Sequence, residues 1–124
     1  MLRTVTAFAV VITLLTAAAQ ADIKSAYGIK IESCTVNQNG GNTNGINVVY
    51  TNSNSSPATE VDFMVNYSKK RYTLTDTGTF SEGSQINHNI STDLVGVAWA
   101  GPTPKKCTVK RVVLQNGKVL GGQQ

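Results

Sequence analysis

The sequence has one histidine, one tryptophan and two cysteines among its 124 residues, and each scarcity narrows the chemistry available. With His88 alone, any imidazole acid–base or metal role rests on a single side chain, and no metal is expected. Two cysteines without Cys-X-X-Cys spacing do not make a dithiol redox motif. Acidic residues number only 7 against 11 basic ones, yet the charged fraction is just 15%. A domain this sparsely charged lacks the dense basic face of a nucleic-acid binder. Beyond the first 21 residues, sustained helical periodicity and helix caps are missing, which points away from helical and mixed folds.

What is present begins with Met-Leu-Arg-Thr and an apolar run from Ala7 to Ala18. The run is too short to span a bilayer and has the charged start of a secretory signal peptide. Ala19-Gln20-Ala21 supplies small residues at the cleavage subsites, so residues 1–21 are read as the leader, with the mature chain starting at Asp22. No cysteine marks a lipid anchor there. The product is expected to be a soluble monomer, periplasmic or secreted, without a membrane span. About a hundred residues remain, enough for one core but few enough that cross-links matter. In an oxidising compartment Cys34 and Cys107 pair as one disulfide. Closing so long a loop contributes about 4 kcal/mol in the chain-entropy account.

The clearest structural signal is Thr59 to Tyr67, where Val61, Phe63, Val65 and Tyr67 alternate with Glu60, Asp62 and Asn66. Such alternation belongs to a half-buried strand, here taken as the central one. Residues 22–27 read as an irregular lead-in, 28–120 as the domain and 121–124 as a flexible tail. Ile29 and Ile31 followed by Cys34 and Val36 form a strand with a bulge at the slip. Asn37 to Gly45, almost without packable side chains, reads as a loop. Ile46, Val48 and Tyr50 alternate, as do Ile86, His88 and Ile90. A turn at Ser68 to Arg71 makes a hairpin with Tyr72 and Leu74. Asp76-Thr77-Gly78 and Ser81-Glu82-Gly83 read as turns, with Phe80 tucked beneath the sheet. Leu94 to Ala100 reads as a deeply buried strand. Asn116-Gly117, between Val112-Val113-Leu114 and Val119-Leu120, predicts a type I′ hairpin.

Seven or eight short strands with regular turn signals and one long-range disulfide predict an all-β antiparallel sandwich. The run from Tyr72 to Asn89, followed by Pro102 to Val113, resembles small exported bacterial immunoglobulin-like domains of uncharacterised function. That resemblance covers roughly Gly28 to Leu120; it implies an immunoglobulin-like fold and carries no activity or cofactor.

Three groups of residues could carry function. Lys69, Lys70 and Arg71 at a hairpin tip, and Lys105 and Lys106 near the second cysteine, would form an anion-binding patch if they meet in space, and otherwise serve as solvated turns. Trp99 is expected in the core near the disulfide, the alternative being an exposed ligand anchor. His88 would need a serine and an acid brought to it to work as a hydrolase, and reads first as a packed, hydrogen-bonded histidine. Asp76-Thr77-Gly78 matches the short aspartic-protease signature but stands as a turn. The Asn-X-Ser patterns at Asn54, Asn66 and Asn89 are ascribed to composition. The functional expectation is a non-catalytic, exported module binding a protein or envelope component. An inhibitor of a secreted hydrolase, with Pro102 to Lys106 as its wedge, is the alternative, and a small hydrolase centred on His88 a second.

Overall fold

The computed structural model describes residues 21–91 and 94–122; the expected leader lies outside them except for Ala21. Alternating apolar residues fold into strands that pack as two sheets, with no helix among the described residues. The strands are β1 (Asp22–Lys24), β2 (Ile29–Asn39), β3 (Asn42–Asn52), β4 (Ala58–Tyr67), β5 (Lys70–Phe80), β6 (Gln85–Ile90), β7 (Lys106–Leu114) and β8 (Val119–Gly121). One sheet runs β2-β3-β6; the other runs β1-β7-β4-β5, with β8 also on β7. The chain crosses between sheets after β1, β3, β5 and β6, so neither sheet is built from consecutive strands alone.

β4 sits between β7 and β5, as its alternation predicts, and Val61, Phe63, Val65 and Tyr67 all face the core. Opposite them lie Ile46, Val48 and Tyr50 of β3. Tyr50 meets Phe63 edge-on at 5.1 Å between ring centres and Phe80 at 5.8 Å, a favoured geometry for aromatic pairs. Phe80 is buried as expected. The disulfide joins Cys34 of β2 to Cys107 of β7 and so ties one sheet to the other.

The bulge expected between Ile31 and Cys34 is present: Ile31 pairs with Tyr50 and Ser33 with Val49, leaving Glu32 as the extra residue. A second slip leaves Lys110 unmatched in β7, between Val109 opposite Phe63 and Arg111 opposite Asp62. On β3, Gly45 takes a φ of +92° where a side-chain carbon would fall 2.7 Å from the Ile90 carbonyl. Only glycine fits there.

Several expectations are corrected. Asn37 to Gly45 is not a loop but the end of a hairpin, in which Gln38 pairs with Thr43 and Asn39 with Asn42 around Gly40-Gly41. Backbone pairing extends that hairpin, with the polar Thr43 as its one buried side chain between Val36 and Ile46. Asp76-Thr77-Gly78 is no turn: it lies inside β5, where Asp76 pairs with Val61. Residues 22–27 are not wholly irregular, because β1 runs parallel to β7. The tail is held as far as Gly122, whose N–H donates to the Lys110 carbonyl at 2.8 Å. Leu94 to Ala100 forms no strand beyond the Ala98–Asn42 bridge; Leu94 is buried while Val95 is 61% exposed.

The two hairpin turns exchange expected roles. At Asn116-Gly117 only the glycine has positive φ, and the Gly117 N–H donates to the Leu114 carbonyl at 2.9 Å. This is a three-residue loop ending in a left-handed glycine. The β4–β5 hairpin instead turns through Ser68 (φ 51°) and Lys69 (φ 65°), closed by the Tyr67–Lys70 pair. Two left-handed residues in a two-residue loop make a type I′ turn, here without glycine.

At the opposite end of the sandwich Asn52, fully buried, organises two loops. Its Nδ2 donates to the carbonyls of Ser56 (3.1 Å) and Phe80 (2.8 Å), and its Oδ1 accepts from the Asn54 N–H at 3.0 Å.

Left-handed backbone costs a residue with a Cβ about 1 kcal/mol or more. Replacing Ser68-Lys69 with Asn-Gly is therefore expected to stabilise the protein by about 1–2 kcal/mol, read as a rise in Tm of several degrees; an unchanged Tm would show that the turn carries no strain. Asn52→Ala leaves buried carbonyls without donors and is expected to cost about 2–4 kcal/mol in denaturant titration. Asn54→Ala, at the rim of the same network, should cost clearly less.

Candidate functional site

Both basic clusters lie at the end of the sandwich that holds the β2–β3 and β4–β5 turns. The turn through Ser68 and Lys69 reverses the chain so that Lys70 and Arg71 open β5. Lys106 opens β7 opposite Asn66, and the Lys105 N–H donates to the Asn66 carbonyl at 2.8 Å. Lys69, Lys70, Arg71 and Lys105 thus line one open depression with Asn66, Tyr67 and Ser68, of about 390 Å³. The clusters, separated in the sequence by more than thirty residues, meet. All five basic side chains belong to exposed residues, and among the described residues none is engaged in an ion pair. Uncompensated like charges around a concavity raise the local concentration of anions.

The segment between β6 and β7 is strapped across the same end. The Thr43 N–H donates to the Val97 carbonyl at 2.7 Å, the Trp99 N–H to Gly41 at 3.0 Å and the Val36 N–H to Pro102 at 2.8 Å. The Thr43 hydroxyl bonds the Leu94 carbonyl. The Tyr67 hydroxyl donates to the Gly101 carbonyl at 2.9 Å and accepts the Ala100 N–H, fixing the strap to the end of β4. Trp99 is consequently not a core residue: it is 38% exposed on this strap. Its backbone is committed to the β2–β3 turn, which keeps its ring from burying beside the disulfide. In the segment from Pro102 to Lys106, Pro104 is buried while Lys105 and Lys106 remain exposed.

His88 lies in a second constellation, which spans both sheets. Asp76 of β5 points inward between them, where it accepts the Tyr50 hydroxyl at 2.7 Å and contacts His88 Nδ1 at 2.8 and 3.0 Å. A carboxylate accepts, so in this contact Nδ1 is the donor. Asp76 is buried, whereas the His88 side chain is 48% exposed. His88 stacks edge-on against Phe80 at 5.9 Å. Burial pushes the Tyr50 phenol far above its ordinary pKa, and the bond to Asp76 adds to the shift, so this hydroxyl remains a donor. The histidine has found its acid. No serine hydroxyl bonds its ring among the described residues, and it lines neither the depression at the basic end nor the one beside Ile29 and Lys30. Sequence reading missed Asp76 as a partner because Asp-Thr-Gly resembles a turn; its place as every second residue after Tyr72 and Leu74 was the available signal.

A third group occupies the outer face of β4 and β7. Arg111 Nη1 bonds Glu60 at 2.9 Å and lies 3.8 Å from Asp62, whose Oδ1 is buried without a hydrogen-bond partner among the described residues. Burial raises the Glu60 pKa above its ordinary 4.5, and the charge of Asp62 and a hydrogen bond with it act the same way, against the pull of Arg111. Among the described residues no three His, Cys, Asp or Glu side chains converge as a metal site, and no helix is long and apolar enough to cross a membrane.

A carboxyl whose folded pKa is raised holds its proton more tightly folded than unfolded, so its contribution to stability is greatest below about 4.5 and is lost as pH rises towards the folded value. Glu60→Gln cannot titrate. The stability of the native chain minus that of Glu60→Gln should therefore fall as pH rises through this window in denaturant titrations; a constant difference would remove Glu60 as its source.

Comparison with protein-family models, with curated proteins and with solved structures finds no match, so what the chain does is read from its own geometry.

Proposed function

We propose that the protein is an exported, non-catalytic binding module that takes an anionic partner at the end carrying Lys69, Lys70, Arg71, Lys105, Lys106 and Trp99. The observation that carries this reading is the meeting of two basic clusters around one depression, with no counter-charge engaged among the described residues. Trp99 adds a partly exposed aromatic face on a strap that is anchored to both neighbouring turns. Cations supply attraction and selectivity for sign, and a rigid indole supplies contact area at small entropic cost. Export is supported by the leader-like first residues and by the disulfide, which is compatible with an oxidising compartment. The order β2-β3-β6 facing β5-β4-β7-β8, with crossovers between the sheets, favours the immunoglobulin-like reading of the sandwich. The absence of a nucleophile bonded to His88 among the described residues favours binding over hydrolysis.

Trp99 is the only tryptophan, so its fluorescence reports on this end alone. Titration of the oxidised protein with poly-L-glutamate at low salt is expected to change its emission, with affinity falling steeply as salt is added. The double variant Lys70→Glu, Arg71→Glu should weaken binding about tenfold or more. Lys118→Glu, at the opposite end, should leave it nearly unchanged. Equal losses from the two ends would mean that net charge alone acts, and the reading would fail.

A further inference from the structure

The edges of the two sheets are not protected alike. β2 carries exposed Lys30 and Glu32 and is bulged at Glu32; β6 has six residues, and β1 and β8 have three each. Short length, charge and bulges are the usual means of keeping an edge from pairing. β5 has none of these along Tyr72 to Thr77, where only the inward Asp76 is charged; its register on β4 slips beyond that, between Thr77 and Phe80. It runs for eleven residues, pairs only with β4 among the described residues, and contains no proline or lysine after Lys70. Its outward side chains are Thr73, Thr75, Thr77 and Thr79, small, neutral and suited to strands.

Register identifies the free backbone groups. In a two-residue hairpin the closing pair, here Tyr67–Lys70, exchanges both hydrogen bonds, and such pairs then alternate along the ladder. Val65–Tyr72, Phe63–Leu74 and Val61–Asp76 follow as bonded pairs. Arg71, Thr73, Thr75 and Thr77 therefore turn their N–H and C=O groups to the open edge. That row starts at the basic depression.

We propose that the free edge of β5 takes up an extended segment of a partner protein as an additional antiparallel strand, with the segment's acidic residues at its C-terminal end beside Lys70 and Arg71. Strand addition draws affinity from the main-chain row and specificity from the side chains at its ends. Antiparallel pairing is the more stable arrangement, and it brings the C-terminal end of the added strand to the start of β5. The four cations lining the depression set the sign of what can lie there. The inference rests on reading this end as the binding end, and it adds the mode and the chemistry of the partner.

The test uses the oxidised protein, uniformly labelled for amide NMR, and a synthetic peptide of alternating threonine and valine ending in a run of aspartates. Its control is the same peptide N-methylated at alternate residues along one edge. Expected are slowed amide exchange at Arg71, Thr73, Thr75 and Thr77 and binding at least about tenfold weaker for the methylated peptide. Thr75→Pro removes one outward N–H and leaves the β4 ladder bonds intact; it should lose the peptide while keeping the amide spectrum of the core. Equal binding of both peptides, with shifts confined to Lys69–Arg71 and Lys105, would overturn strand addition and leave the basic end standing. Unaltered binding by Lys70→Glu, Arg71→Glu would overturn the proposal together with the reading beneath it. Protection of the β5 edge that grows with protein concentration in the absence of peptide would make a second copy the occupant and overturn the acidic partner.

Discussion

Two sheets can share one interior only if every second residue of each facing strand is apolar, and both cysteine-bearing strands break that alternation once. In β2 the inward set passes from Ile29 and Ile31 to Cys34 and Val36 by way of Glu32; in β7 it passes from Cys107 and Val109 to Val112 and Leu114 by way of Lys110. A one-residue slip would otherwise turn the later half of each strand to solvent. The extra residues leave the pairing, and both cysteines stay inside. Each bulge thus permits one strand to be apolar inward along its whole length and still meet its neighbour. The disulfide then fastens the corrected halves of the two sheets to each other.

The polar groups drawn into this interior are placed where the sheets part company. Asn52 satisfies the carbonyls of two loops at one end, and the Tyr67 hydroxyl does similar work for the strap at the other. Along the side, Asp76 reaches from one sheet to Tyr50 and His88 of the other. Each is a buried or half-buried donor or acceptor that ties segments with no ladder between them. The basic end is tied together in the same way: the Trp99 N–H bonds the β2–β3 turn and the Lys105 N–H bonds Asn66 at the end of β4.

The fold class, the central strand, the bulge at Glu32, the buried Phe80 and the disulfide were legible because each leaves a local mark: alternation, a slip in it, or a pair of cysteines in an otherwise cysteine-free chain. Where sequence reading failed, the deciding interaction was distant or purely backbone. Asn37 to Gly45 contains little that is apolar to bury, and its strands are held by main-chain pairing and polar side-chain bonds such as Thr43 to the Leu94 carbonyl. Leu94 to Ala100 looks like a strand because it is apolar, but its N–H and C=O groups are taken by the β2–β3 turn, which leaves Val95 and Trp99 outside. The turn at Ser68 to Arg71 was legible as a turn but not as a left-handed one, a conformation that the pairing of Tyr67 with Lys70 imposes on Ser68 and Lys69. The basic residues were recognisable individually, but that Lys105 comes to rest beside Lys69–Arg71 depends on β7 pairing with β4, which no local pattern encodes.

That pairing also orders events in time. β7 lies between β4 and the edge shared by β1 and β8. Two strands, β1 and β8, have no other pairing partner among the described residues. Because contacts between distant segments are slow to form, the five-stranded sheet can be completed only after β7 has been made, later than the hairpin of β2 and β3. A ribosome makes Cys34 earlier than Cys107 by 73 residues, and over that interval Cys34 is a thiol whose partner does not yet exist.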